Sequence, residues 1–204
     1  MTGRQLRPVE VKRLNRSWRR ATEARVGLVL DGVVSPFNVG SILRTAAVLG
    51  VEQVWLAGAS ATPHHPAVRK VSMGTERLLE WHEGMTSVEA VAAARAEGLR
   101  PVALELCEGA TPLHAAALDG DLCLVVGNED KGLSAAVLAA CDAAAYLPQP
   151  GKVGSLNVAV ATGIALSECR RREWDGQALP AAVDGPPLPG AAGADEGPQP
   201  IGEP

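Results

Sequence analysis

The feature that most constrains the chain is its succession of short apolar runs and one helical segment between residues 26 and 57. Val26–Asp31 (VGLVLD) is apolar almost throughout and too short for a buried helix, so it reads as a buried strand. Residues 32–38 (GVVSPFN) read as a loop, because Pro36 disfavours helical backbone at Ser35. A helix is expected from about Asn38, whose side chain can cap it, to Leu49, with Gly50 as its stop. Val51–Ala57 (VEQVWLA) reads as a second strand. Strand, loop, helix and strand in so few residues make a βαβ unit, which requires a parallel sheet and an α/β fold.

The pattern continues. Residues 58–70, with two prolines and two histidines, read as a loop, and 76–81 fits strand or helix equally. Further helices are expected at Thr86–Glu97 with a Ser87 cap, Ser134–Ala140 and Leu156–Arg172, the last ending in three arginines that suit its negative pole. Pro101–Leu106, Leu122–Val126 and Ala143–Leu147 read as strands. Ahead of them, residues 9–25 read as a basic helix with Val11, Leu14 and Trp18 on one stripe, by which it would dock. From Trp174 the chain holds seven of its fifteen prolines, six glycines and no periodicity, which predicts a disordered tail. The expected organisation is a basic arm (1–25), an α/β domain (26–173) and an acidic tail (174–204).

Charge narrows the partners. The net charge of −4 conceals an asymmetry: residues 1–25 carry eight basic and two acidic side chains, or +6, whereas the segment after Trp174 carries five acids and no base. A basic arm on an acidic chain suits contact with phosphates. No apolar run is long enough for a membrane span, and the basic N-terminus lacks the apolar stretch of a signal peptide, so a cytoplasmic protein is expected. Cys107, Cys123, Cys141 and Cys169 have no ligand-like spacing, and His64, His65, His82 and His114 read as surface or loop residues, so no metal site is expected.

Three glycine-containing turns follow apolar strands: SPFNVGSILRT (35–45), GNEDKGLS (127–134) and LPQPGKVGSLN (147–157). In open parallel sheets ligands bind at the carboxyl ends of the strands, so three such turns predict one small-molecule site. GxGxxG, GxxxxGK[ST] and GxSxG are all missing, which excludes the dinucleotide, P-loop and hydrolase fingerprints. Taken singly, the polar residues here have ordinary explanations: Arg44 in a helix-surface ion pair, Asn38 as a cap, Ser155 and Asn157 as a cap and turn, Glu129 as a solvated loop acid.

Taken together, and in this order, the three segments resemble the three signatures of the SpoU (TrmH-like) branch of the SPOUT superfamily of RNA 2′-O-ribose methyltransferases. The resemblance covers about residues 26–172. It implies a parallel α/β sheet flanked by helices with a C-terminal deep trefoil knot, S-adenosylmethionine as the cofactor, no metal, and a homodimer in which each active site is completed by the neighbour. Residue by residue, Arg44 matches the catalytic arginine and Asn38 the asparagine that helps place it. Glu129 matches the acid of the second signature, and Ser155 and Asn157 the polar pair of the third. Gly127, Leu147 and Leu156 match positions that line the cofactor, and Leu104 is a weaker match. Asp130 stands where several relatives carry Gly or Lys and receives no role. Segment 62–81, the basic arm and the third signature are most similar to the tRNA guanosine-18 group. The partner expected is therefore RNA, with tRNA favoured over ribosomal RNA; the alternatives are a ribosomal RNA methyltransferase and a non-catalytic RNA-binding SPOUT protein.

Overall fold

A computed structural model describes residues 4–177 and Pro180. Its centre is a seven-stranded sheet of β1 (Val26–Asp31), β2 (Gln53–Ala57), β3 (Glu80–Glu83), β4 (Arg100–Leu104), β5 (Thr111–Pro112), β6 (Leu122–Val126) and β7 (Ala143–Tyr146). The spatial order is β3-β2-β1-β6-β4-β7-β5, and every adjacent pair is parallel. β6 lies between β1 and β4, with Leu124 opposite both Leu28 and Val102. β1 and β6 are covered on both faces, which is why they are apolar without alternation.

Successive side chains then enter different cores. Leu28, Leu30, Leu122 and Leu124 pack with Ile42 and Leu43 of α2 (Pro36–Val48) and Leu166 of α6 (Val158–Trp174). Val29, Trp55, Cys123 and Val125 pack on the other face with Ala90 and Val91 of α4 (Ser87–Ala96) and Val137 of α5 (Ala135–Ala140). Thr22–Gln177 forms one compact unit.

Several boundaries differ from expectation for identifiable reasons. α2 begins two residues before Asn38: Pro36 takes the first turn, where its missing N–H is harmless, and Ser35 Oγ caps it by accepting from the Asn38 backbone N–H at 3.4 Å. α4 is capped by Thr86, not Ser87, in a reciprocal box with Glu89. The expected loop 58–70 contains the start of α3 (Pro66–Ser72), capped by His65. The undecided stretch becomes a 3-10 turn at Thr75–Leu78 followed by β3. His82 lies on β3, stacked on Trp55 with ring centroids 5.5 Å apart, so it is not a loop residue.

α6 starts after Asn157, leaving Leu156 in the preceding loop, and continues to Trp174, two residues past its expected end at Arg172 and onto the first residue of the expected tail. Apart from Pro180, the tail beyond Gln177 lies outside the described residues. The arm is described by itself: α1 (Pro8–Arg20) is shorter than expected and is opened by Arg7, whose backbone N–H donates to Glu10 Oε2 at 2.7 Å. The Arg4 and Arg7 guanidiniums, at 2.7 and 3.1 Å, hold the Glu10 carboxyl well below the usual carboxylate range.

Candidate functional site

The loops after β1, β6 and β7 meet at the carboxyl edge of the sheet. Asn128, just beyond β6, ties the first two together. Its amide donates to the Gly32 carbonyl at 2.7 Å, and its Oδ1 accepts from the backbone N–H groups of Asp130 and Lys131, each at 3.0 Å. Gly127 is required by close approach: a Cβ there would stand 2.5 Å from the Gly132 carbonyl carbon and 2.7 Å from Leu133 N. Glu105 supports the same turn, its Oε2 accepting from Leu133 N at 3.0 Å.

Across these loops runs a chain of polar side chains. Asn38 Nδ2 donates to Glu129 Oε1 at 2.9 Å, and Asn157 Nδ2 donates to Asn38 Oδ1 at 3.0 Å. Asn157 also caps α6, its Oδ1 accepting from Ala159 N at 2.9 Å and Val160 N at 3.3 Å. Partial burial pushes the Glu129 carboxyl upward, but hydrogen bonds from Asn38 and from backbone N–H groups including Ser35 outweigh it, so its pKa lies below the ordinary value. The anionic form is thereby favoured.

Beside this chain opens a cleft of about 550 Å³. Leu104, Gly127, Leu147 and Leu156 all line it, as do Glu129, Ser155 and Asn157. Val126 and Tyr146 add apolar surface, and Glu105, Asp130 and Lys131 add charge. Asn38 touches the cleft only through Glu129 and Asn157. Arg44 stands apart: its side chain is exposed, it does not line the cleft, and its Nη1 lies 2.6 Å from Met73 Sδ.

The ordinary explanations thus divide. Asn157 is a cap and a site residue at once; Asn38 is not the cap; Arg44 has no ion pair among the described residues. Gly40, inside the first signature, serves packing: a Cβ there would meet Val71 Cβ at 2.7 Å and the Val68 carbonyl oxygen at 2.8 Å on α3.

Sequence reasoning missed Asn128 and Glu105. The N-E-D segment held a turn signal for Asn128, since asparagine readily bonds backbone two residues on; Glu105 had none. Among the described residues no His, Cys, Asp and Glu side chains form a group of three or more able to share a metal ion, and no helix is long and apolar enough to cross a membrane.

Comparison with known proteins follows the same geometry. The SpoU rRNA Methylase family matches residues 25–167. The 23S rRNA (guanosine-2′-O-)-methyltransferase RlmB of Acinetobacter baylyi is 34% identical over 147 residues, 71% of this chain and 59% of that protein. The chain therefore spans just under three fifths of that curated relative. The AdoMet complex of the SpoU methyltransferase AviRb from Streptomyces viridochromogenes superposes with a TM-score of 0.68 at 30% identity, covering 76% of this chain and 63% of that one. The A. aeolicus TrmH/SpoU tRNA modifying enzyme superposes with a TM-score of 0.66 at 28% identity, covering 80% of this chain and 84% of that one. With the match running from the strand that opens the sheet into the helix that closes the cleft, the chain belongs to the SpoU rRNA Methylase family, within the SPOUT superfamily.

Proposed function

We propose that the protein is a cytoplasmic, homodimeric enzyme that methylates a ribose 2′-hydroxyl of RNA with S-adenosylmethionine. The observation that carries this reading is the Glu129–Asn38–Asn157 chain, which joins three glycine-containing loops at the mouth of one cleft.

The cleft's lining fits the cofactor. Leu104, Leu147 and Leu156 offer apolar walls to an adenine, the backbone around Gly127 can approach it closely, and Glu105, Glu129 and Asp130 give the mouth an acidic character suited to a cationic ligand. The volume lies within the range of roughly 300–1,000 Å³ usual for small-molecule sites. When bound, S-adenosylmethionine supplies a methyl group on a positively charged sulfur.

The protein's own task is to turn a ribose hydroxyl into a nucleophile. The hydroxyl oxygen forms a bond to the methyl carbon as the carbon–sulfur bond breaks, and the hydroxyl proton leaves in the same step. A guanidinium is almost never deprotonated in proteins, so Arg44 acts by stabilising the developing alkoxide charge, and the hydroxyl proton passes to water. Ser155 and Asn157 orient the ribose, while Asn38 and Glu129 hold Asn157 in place.

The same reading calls for a second copy of the chain. Arg44 does not line the cleft of its own chain, and Phe37, Val160 and Ile164 present apolar side chains that are 65%, 50% and 43% exposed. We read these as the dimer face that brings Arg44 to the neighbouring cleft. The reading includes the trefoil knot, supported by β7 lying between β4 and β5 although it follows both in sequence.

The substrate proposed first is tRNA, with the basic helix α1 gripping its phosphates. The second reading, ribosomal RNA, is favoured by the likeness to the 23S rRNA enzyme. The test is transfer of labelled methyl from S-adenosylmethionine into purified bulk tRNA and ribosomal RNA, followed by nuclease mapping. Label at a 2′-oxygen in one pool identifies the substrate; label on a base, or in neither pool, overturns the reading.

A further inference from the structure

We infer that the exposed side of α3, carrying Arg69 and Lys70 and continued by Arg77, is a docking face for the phosphate backbone of the RNA, and that it delivers the strand to Arg44. This rests on the reading of the protein as an RNA methyltransferase.

Half of the cations between Thr22 and Gln177 are already engaged within the fold. Arg25, Arg95, Arg170, Arg171 and Arg172 each hold a carboxylate at 2.7–2.9 Å. Arg100 donates to the Ala117 carbonyl at 2.9 Å. The charge of the first five is thus already met by a carboxylate, and Arg100 is turned onto a backbone carbonyl.

The remaining cations have no such partner among the described residues. Lys131 and Lys152 stand on the loops of the cleft. The others, Arg44, Arg69, Lys70 and Arg77, all fall on α2, α3 and the turn after α3. Arg77 comes only within 3.9 Å of Glu76, whose carboxylate is buried and already accepts from Ser72 Oγ at 2.5 Å.

Glu76 is also the only acid between Ala61 and Leu79. Of the acids that follow on β3, Glu83 faces His64 at 3.2 Å and Glu80 faces His82 at 3.7 Å. Exposed like charges repel one another, and a face of this kind gains when phosphates neutralise it and release their counterions.

The face is also rigidly placed. Gly40 lets α2 and α3 approach until only a hydrogen fits between the Gly40 Cα and Val71. Met73 ends α3 in a left-handed conformation (φ 56°), its backbone N–H donating to the Arg69 carbonyl at 3.1 Å and its sulfur resting on the Arg44 guanidinium. Arg69 therefore lies one helical turn, about 5.4 Å, from the residue that touches Arg44. A second copy of the chain is a poorer occupant, because a two-fold contact sets the same cations against themselves.

The test is the double substitution Arg69→Gln/Lys70→Gln in the full chain, with binding of bulk tRNA and of 23S ribosomal RNA measured by filter retention from low to high KCl. The affinity is expected to fall at least about tenfold at low salt, and the slope of log K against log salt to shrink by about 1.4, for two phosphate contacts at roughly 0.7 each on single strands. S-adenosylmethionine affinity and melting temperature should not change.

An independent measurement on the unaltered protein is acetylation of Lys70 by a soluble ester, which bound RNA should suppress. Unchanged affinity and slope, or acetylation that RNA leaves untouched, overturns the docking face while methyl transfer by the wild type keeps the enzymatic reading standing. A double variant that alters sedimentation mass but not RNA binding also overturns it, in favour of a contact between copies. A wild type that binds neither RNA overturns both.

Discussion

The Glu129 carboxylate accepts a 2.9 Å hydrogen bond from the Asn38 side-chain amide across 91 residues of sequence. Because Asn38 Oδ1 then receives the Asn157 amide at 3.0 Å, the carboxylate fixes which way the Asn38 amide faces, and Asn38 in turn orients the cap of α6. One acid thus orders polar groups from all three loops.

Asn157 has two jobs that a pair of variants separates. Asn157→Ala removes the α6 cap and is expected to cost about 1 kcal/mol, lowering the melting temperature by roughly 2–4 °C for a domain of this size, together with activity. Asn38→Ala leaves every helix cap intact, so methyl transfer should fall with a smaller change in melting temperature. Thermal denaturation and initial rates on both proteins check this; equal losses of stability would show that Asn38 is a structural support only.

Arg44→Ala is expected to lower methyl transfer at least about 100-fold, as for loss of a key charge-stabilising donor, while S-adenosylmethionine binding stays near wild type. Calorimetric titration beside the rate measurement checks it. Turnover like the wild type would remove Arg44 from the chemistry.

Gly127→Ala places a methyl against the backbone of Gly132, where nothing can move aside cheaply. Loss of cofactor binding and a lowered melting temperature are expected. Gly154→Ala, on the same cleft but with nothing within 4 Å of the new methyl, should leave the fold unchanged. A cofactor titration and a melt on each variant distinguish the two glycines.

Glu168 predicts the acid limit of the fold. Hydrogen bonds from Arg171 and Arg172, stronger than the opposing effect of burial, lower its pKa from 4.5 to about 2. A depressed carboxylate contributes stability that is present above its unfolded pKa and lost as pH falls through the folded value. Melting temperature should therefore drop between about pH 4.5 and 2, and Glu168→Gln should flatten that part of the curve. A parallel pH profile in the variant would assign acid lability to other groups.

How much was legible beforehand follows from where the information resides. β1 and β6 were found with their boundaries intact because a strand covered on both faces must be apolar at every position, a condition met or failed within six residues. The helix α3 was not found: Val68, its buried anchor, is meaningful only beneath α2, where Gly40 leaves room for it. β5 consists of two residues that are a strand only by pairing with β7, and no local propensity marks them.

For the site, the order of the three segments and their resemblance to a family single out Asn38, Arg44, Glu129, Ser155 and Asn157. That Asn38 joins Glu129 to Asn157, that Asn128 and Glu105 brace the loop they share, and that Arg44 rests on Met73 outside the cleft were decided by tertiary structure alone. These partners are 28 to 119 residues apart along the chain. Hydrogen bonds act over about 3 Å, and only the folded sheet edge brings such distant groups within that reach.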